Sequence, residues 1–166
     1  MNIFVLDQNP EIAARSLCDK HIVKMIVESC QLLSTHERLE NGLGEERYKI
    51  THKNHPCRLC LSNGNNFIWL CYHLNAMLNE YTLRYGKVHK CQKLFDKYWA
   101  QFLDLTYLPE KLTFPKCMPS EFWVGEEKIG NIEEIVASYK NYYKFKSNSL
   151  KQFRYTKRIS PQWLMN

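Results

Sequence analysis

The stretch DKHIVKMIVESCQLLST, residues 19–35, decides the fold because it predicts a long helix that is apolar over most of its surface. The apolar and small side chains that recur at helical spacing are Ile22, Met25, Ile26, Ser29, Leu32 and Leu33. The polar side chains that share the opposite seam are His21, Lys24, Glu28, Gln31 and Thr35. A seam this narrow favours the lining of a groove, although a solvated helix face with an incidental histidine gives the same pattern.

A second helix, predicted over residues 66–85, has the same design. It is apolar nearly all round, yet His73, Glu80 and Arg84 lie on one side of it. His73 and Glu80 are seven residues apart, as are His21 and Glu28. Two helical turns separate each pair by roughly 10 Å, which is too far for both members to bind one ion. We expect the two helices to pack side by side, with both seams lining one cleft.

Length and composition predict the fold class. A chain of 166 residues with 45% hydrophobic content can bury one core, so we expect a mainly α, compact single-domain helical bundle over residues 1–166. Residues 2–6 read as a short N-terminal extended strand or strap. The sequence has no secretory signal pattern and no membrane-length apolar run, and its seven cysteines are an odd count typical of free thiols. These features predict an intracellular protein that does not enter a membrane.

The charge distribution points to an anionic partner. The formal net charge is +6, and residues 131–166 hold seven basic and two acidic residues. Lysines and tyrosines alternate there, which suits phosphates and bases, and residues 146–166 form a basic C-terminal segment. A basic amphipathic helix that packs its rings on the core gives the same pattern. The residues predicted to contact DNA are Lys20, Asn54, Arg84, Lys87, Lys140, Tyr143, Lys144, Arg154, Lys157 and Arg158.

Residues 48–60, YKITHKNHPCRLC, hold the densest cluster of histidine and cysteine. His52, His55, Cys57 and Cys60 lie within nine residues, with no second pair at a distance as structural zinc sites usually have. Loop residues that hydrogen-bond locally or touch a substrate fit better, so we predict no metal and no cofactor. Glycine-rich phosphate loops and serine nucleophile elbows do not occur in the sequence either. Histidine, glutamate, lysine, arginine and the N-terminal amine therefore remain as candidate catalytic groups.

Three motifs resemble the pyrimidine-dimer DNA glycosylases of the phage endonuclease V type. The first is Asp19-x-His21 with Glu28 seven residues further on, the second is YHLNAMLNEYTLRYG, and the third is the basic aromatic YKNYYK near the C-terminus. The sequence also resembles, more closely, a set of uncharacterised proteins of phages and large DNA viruses that carry DKH, NHP, EYTLRYGK and CMP in this order. That second resemblance implies no function; for a viral protein, the compartment would be host cytoplasm or nucleus.

The first resemblance implies a DNA-repair glycosylase with AP lyase activity, in which an amine attacks the sugar of a damaged or modified nucleotide and a helical glutamate assists. An α-amine has an ordinary pKa of about 7.7 to 8.0, so part of it is a free nucleophile at neutral pH. In that family the amine belongs to a small residue exposed after methionine removal. Here Asn2 follows Met1, so the nucleophile would be Met1 or a lysine such as Lys20 or Lys24. The residues expected to carry catalysis are Glu28, His21, Lys24, Met1 through its α-amine, His55, His73 and Glu80.

Two alternatives use the same residues. A nucleotide- or base-modifying enzyme would act on a free nucleotide in the cleft between the helices. A non-catalytic viral protein that binds a nucleotide or nucleic acid would need only the basic aromatic surface. In each case the partner is DNA or a nucleotide, and we expect a monomer.

Overall fold

The computed structural model describes residues 1–42, 44, 47–149 and 153–165. The α-helices in this part are α1 (Pro10–Arg15), α2 (Asp19–Glu40), α3 (Pro56–Leu59), α4 (Gly64–Tyr85), α5 (Gln92–Tyr98), α6 (Ile132–Ser149) and α7 (Gln162–Met165). The same residues contain no β-strand, which confirms the mainly α prediction. Among them, no helix combines the length and the apolar character needed to cross a membrane. Residues 150–152 and 166 of the predicted basic C-terminal segment lie outside the described residues.

Local sequence signals account for most helix ends. Asn9 caps α1, since its side-chain oxygen accepts hydrogen bonds from the N–H groups of Glu11 and Ile12. Gly86 ends α4 with a φ of 66°, the left-handed conformation that glycine adopts without strain. At the start of α2, the capping position is Cys18, without a side-chain hydrogen bond. The Asp19 carboxylate instead accepts hydrogen bonds from the backbone and hydroxyl of Thr156, which fixes the C-terminal segment over this end of α2.

The helical segment that follows α4 is interrupted. It forms α5 and then a 3-10 turn, Ala100–Asp104, because Trp99 leaves the helical conformation with a φ of −124°. The Trp99 side chain is fully buried, so the break places a large ring in the core.

The core forms where α4 packs against α1 and α2. Trp69 of α4 is fully buried, and its indole N–H donates to the Gln8 carbonyl. The N-terminal segment also belongs to this core. Residues 3–6 are all buried, although they form an irregular strap with no strand partner. Phe4 has a φ of 55°, a conformation that costs a non-glycine residue on the order of 1–3 kcal/mol, so the packing around the strap holds it in place.

The open cleft predicted between the seams of α2 and α4 is filled by the chain itself. The two helices do pack together, but His21 and His73 face the N-terminal part of the chain, and Glu80 pairs with Arg158 of the C-terminal segment. His21 of α2 stacks on Phe4, with ring centroids 4.9 Å apart. His73 of α4 hydrogen-bonds to the Pro10 carbonyl oxygen at 2.9 Å. The narrow polar seams therefore reflect contact with a buried strap, a partner that the helical period does not identify.

Candidate active site

Glu28 lies where α2 meets the beginning of the chain. Its side chain is 14% exposed, and its Oε2 accepts a hydrogen bond from the backbone N–H of Asn2 at 3.1 Å. Backbone bond lengths then place the Met1 α-amine within about 7 Å of this oxygen. Glu28 Oε1 lies 3.4 Å from the ammonium of Lys24, which is more than half exposed. One carboxylate thus lies between the N-terminus and a lysine that is open to solvent.

The side chain of Asn2 orders the N-terminus beside Glu28. Its amide nitrogen donates to the Cys117 carbonyl at 2.9 Å, and its oxygen accepts from the Ile3 N–H at 2.8 Å. Together with the Glu28 contact, these bonds fix three polar groups of Asn2. The first residues of a chain are usually mobile, so this anchoring gives the amine a defined position. No local motif indicates the contact between Asn2 and Cys117, because the two residues are 115 positions apart.

His55 belongs to the same region. Thr35 of α2 and Thr51 hold its loop through two hydrogen bonds of 3.2 Å. The His55 Nδ1 accepts from the N–H of Cys57 at 3.1 Å, so the neutral ring carries its proton on Nε2. Burial lowers the pKa of His55, and the positive charge of the N-terminus lowers it further, while Glu28 opposes the shift. The His55 imidazole therefore lies within electrostatic reach of the amine and the carboxylate.

His21 is buried beneath the strap and does not line an open surface. The Tyr143 hydroxyl accepts from the Cys18 N–H at 2.8 Å and forms a second hydrogen bond with His21 Nδ1, also at 2.8 Å, whose donor is set by the imidazole tautomer. Burial, reinforced by the charges of nearby lysines, lowers the pKa of His21 to about 4. A neutral ring stacked on Phe4 can position the strap, but its 6% exposure keeps it from contacting a large substrate directly.

His73 lies inside the core and not in a cleft, whereas Glu80 lines a cavity together with Arg158. The His73 ring is fully buried and stacks on Trp69 with ring centroids 4.8 Å apart. Burial lowers its pKa to about 4, so the ring is neutral near pH 7. Glu80 forms ion pairs with Arg84 at 3.0 Å and with Arg158 at 2.5 Å. Burial alone would raise the pKa of Glu80, but the two arginines outweigh it and hold that pKa below its ordinary value.

The predicted DNA contacts divide by exposure. Arg84 and Tyr143, both predicted to contact DNA, are buried and hydrogen-bonded inside the protein. Arg158 is tied to Glu80. The predicted contacts that are exposed are Lys20, Asn54, Lys87, Arg154, Lys157 and Arg158, while Lys140 and Lys144 are half-buried. The side chain of Lys157 donates to the Leu83 carbonyl, and that of Lys140 lies over the Trp163 ring.

Three lysines surround the end of α2 that carries His21. Their charges, in the order Lys146, Lys24 and Lys20, add to the effect of burial in lowering the pKa of His21. Arg154 joins them, since its carbonyl accepts from the Asp19 N–H at 2.8 Å and its side chain is exposed. We call Lys20, Lys24, Lys146 and Arg154 the basic face. It adjoins Glu28 through Lys24 and offers positive charge for phosphates.

A family model for pyrimidine dimer DNA glycosylases matches residues 1–93, the part of the chain that holds Met1, Glu28, His55 and Glu80. Neither a curated protein nor a solved structure matches the chain. The matched region covers more than half of the 166 residues and includes the strap, α2 and α4. This match supports a DNA glycosylase that acts in repair, with DNA as its partner. The chain belongs to the pyrimidine dimer DNA glycosylase family.

Proposed function

We propose that this DNA glycosylase is also an AP lyase and that its nucleophile is the Met1 α-amine, assisted by Glu28. The hydrogen bond from the Asn2 N–H to Glu28 Oε2 carries this proposal, since it holds the N-terminus against a mostly buried carboxylate. Removal of Met1 would expose the nitrogen of Asn2 in the same place. In either form, the carboxylate has an α-amine beside it.

The first chemical stage is displacement of the base. The free amine attacks C1′ of the damaged nucleotide, a C–N bond to the protein forms, and the bond to the base breaks with its electron pair leaving on the base. A proton then has to reach the departing base or the sugar ring oxygen. Glu28 can stabilise the positive charge that develops on the sugar, and in its protonated form it can supply that proton.

The second stage is strand cleavage. Opening of the sugar ring leaves an imine between the amine and C1′, which makes the proton on C2′ acidic. Loss of that proton to a base expels the 3′ phosphate by β-elimination. Glu28, as a carboxylate near the amine, can accept this proton, and water then hydrolyses the imine to regenerate the amine.

Binding of DNA would use the basic face. Lys20 and Lys24 follow α2 toward Glu28, so phosphates bound to them would direct the sugar at the amine. Lys24 is salt-bridged to Glu28, and a DNA phosphate can compete for its ammonium. His21 acts as a positioning residue, since its ring stacks on Phe4 of the strap.

The test uses the purified protein and a duplex that carries a single cyclobutane pyrimidine dimer. We expect release of the base from its sugar, strand cleavage at the dimer and, with borohydride present, a covalent protein–DNA adduct. Glu28→Gln should lower the single-turnover rate by about 100-fold or more, the size typical of a positioned acid–base group. Base release without any adduct would overturn the amine mechanism but not the glycosylase. Turnover of free nucleotides with an inert duplex would favour a nucleotide-modifying enzyme instead.

A further inference from the structure

A cluster of metal-binding side chains lies next to the N-terminus. One donor atom each from His55, Cys57 and Cys117 lies within 4.8 Å of the other two. The Cys57 thiol donates to the Cys117 sulfur at 3.4 Å. His55 and Cys57 belong to the start of α3, whereas Cys117 comes from a segment sixty residues further on. Folding therefore supplies the distant ligand that the interleaved histidines and cysteines of residues 52–60 lack.

The backbone around Cys117 is held from several sides. Its carbonyl accepts from the Asn2 side chain at 2.9 Å, and its N–H donates to the Tyr139 hydroxyl at 3.4 Å. That hydroxyl donates in turn to the Pro115 carbonyl at 2.9 Å. Cys57 is fully buried, whereas Cys117 and His55 are partly accessible. The three side chains are therefore held in place by the surrounding protein, and two of them are partly accessible to solvent.

We propose that His55, Cys57 and Cys117 bind a zinc ion. Two thiolates and one imidazole are ligands that zinc prefers, and three protein ligands with a fourth position open form a known zinc arrangement. Cys60 is excluded from the set, because its thiol donates instead to the Cys57 carbonyl at 3.3 Å. His55 and Cys117 are partly accessible, so a water molecule can complete the coordination.

Distances decide between a metal and a disulfide. In tetrahedral coordination with Zn–S bonds of about 2.3 Å, two sulfurs lie about 3.8 Å apart. The sulfurs of Cys57 and Cys117 are 3.4 Å apart, which is about 0.4 Å from the zinc value and about 1.4 Å from a disulfide bond. The nitrogen of His55 needs a larger shift, from up to 4.8 Å to about 3.5 Å from sulfur. Its ring is partly exposed, and it exchanges the hydrogen bond from the Cys57 N–H for the metal bond.

The test is titration of the reduced full chain, freed of metal, with Co²⁺ and then Zn²⁺. We expect one equivalent of Co²⁺ to produce thiolate charge-transfer bands and the strong visible bands of a tetrahedral site, and Zn²⁺ to displace it. Binding should release about two protons, one from each thiol. Cys117→Ser should weaken Co²⁺ binding by at least about 10-fold, as should His55→Asn, which retains an acceptor at the cap of α3.

The matched control is Cys60→Ser, which removes a thiol from the same region but outside the cluster, and its spectrum should be unchanged. Absence of thiolate bands in the folded protein would overturn the proposal. So would an unchanged spectrum in Cys117→Ser, loss of the spectrum in Cys60→Ser, or a Cys57–Cys117 disulfide in protein kept under thiol reductant. None of these readouts uses DNA or catalysis, so the zinc site stands or fails apart from the amine mechanism.

Discussion

Glu28 and Glu80 each lie seven residues after a histidine. Replacement by glutamine, which has nearly the same shape, should lower stability at Glu80 and turnover at Glu28. Glu80→Gln removes a charge from a network in which the side chain of Glu80 is 5% exposed and that of Arg84 is fully buried. Loss of one partner of a buried ion pair typically costs about 3–5 kcal/mol. Glutamine retains some hydrogen bonding, so we expect about 3 kcal/mol. For a domain of this size, that lowers the melting temperature by roughly 6–12 °C.

Glu28→Gln should leave stability nearly intact. Glu28 pairs with Lys24, whose side chain is 59% exposed, and solvent-exposed pairs of this kind contribute about 0–1 kcal/mol. The glutamine oxygen can still accept from the Asn2 N–H. Turnover should nevertheless fall by about 100-fold, equivalent to about 2.7 kcal/mol in the activation barrier. Glu80→Gln should retain its rate per folded molecule, because Glu80 contacts arginines within the protein.

The assay is paired: thermal melting and single-turnover cleavage of dimer-containing duplex are measured on the same preparations of both variants. Cleavage is run well below both melting temperatures, so that the folded fraction is close to one. A catalytic role for Glu28 is refuted if Glu28→Gln melts several degrees lower and retains full turnover. A structural role for Glu80 is refuted equally if Glu80→Gln melts like the parent protein and loses activity.

The pKa values of His21 and His73 are lowered to about 4, so each histidine binds a proton more readily in the unfolded chain than in the folded protein. The free energy of unfolding should therefore be highest above about pH 6.5 and decrease toward pH 4. At pH 5 the loss should be on the order of 2 kcal/mol per histidine. Urea unfolding at pH 7 and pH 5 measures this, and His21→Phe should reduce the difference; a difference equal to that of the parent protein would contradict the assignment. DNA affinity should fall with salt, and Lys20→Ala or Lys146→Ala should each reduce the log–log slope by about 0.9. Slopes unchanged by both substitutions would remove the basic face from the DNA interface.

Hydrophobic periodicity predicted the elements in which the buried face follows from the residues of a single helix. The apolar faces of α2 and α4 are long and regular, and Gly86 marks the end of α4 by a conformation that glycine favours. The seven-residue spacing also placed His21 and Glu28 on one side of α2, where the structure has both of them in contact with the strap. Such signals are local, so they can be recognised in the sequence without knowing which segment packs against the helix.

Long-range packing accounts for what the sequence did not predict. A narrow polar seam shows that little of a helix faces water, but it does not show whether an open cleft or a buried strap covers the seam. The seam pattern therefore predicted His73 to line a cleft, although its ring hydrogen-bonds to the Pro10 carbonyl oxygen inside the core. The sequence predicted Arg84 to contact a DNA phosphate for the same reason, although its guanidinium donates to the Leu17 carbonyl. Cys117 joins the site only through folding, because its neighbours in the sequence carry no ligand pattern.

The position of the covalent bond to DNA tests the amine mechanism most directly. The borohydride-reduced adduct, after digestion of its DNA and proteolysis, is mapped by tandem mass spectrometry, and the intact mass of the free protein records its first residue. We predict that the modification is on the α-amine of the N-terminal peptide, at Met1, and that blocking this amine abolishes the adduct. A modification on the side chain of Lys20 or Lys24, with an unmodified N-terminus, would contradict it.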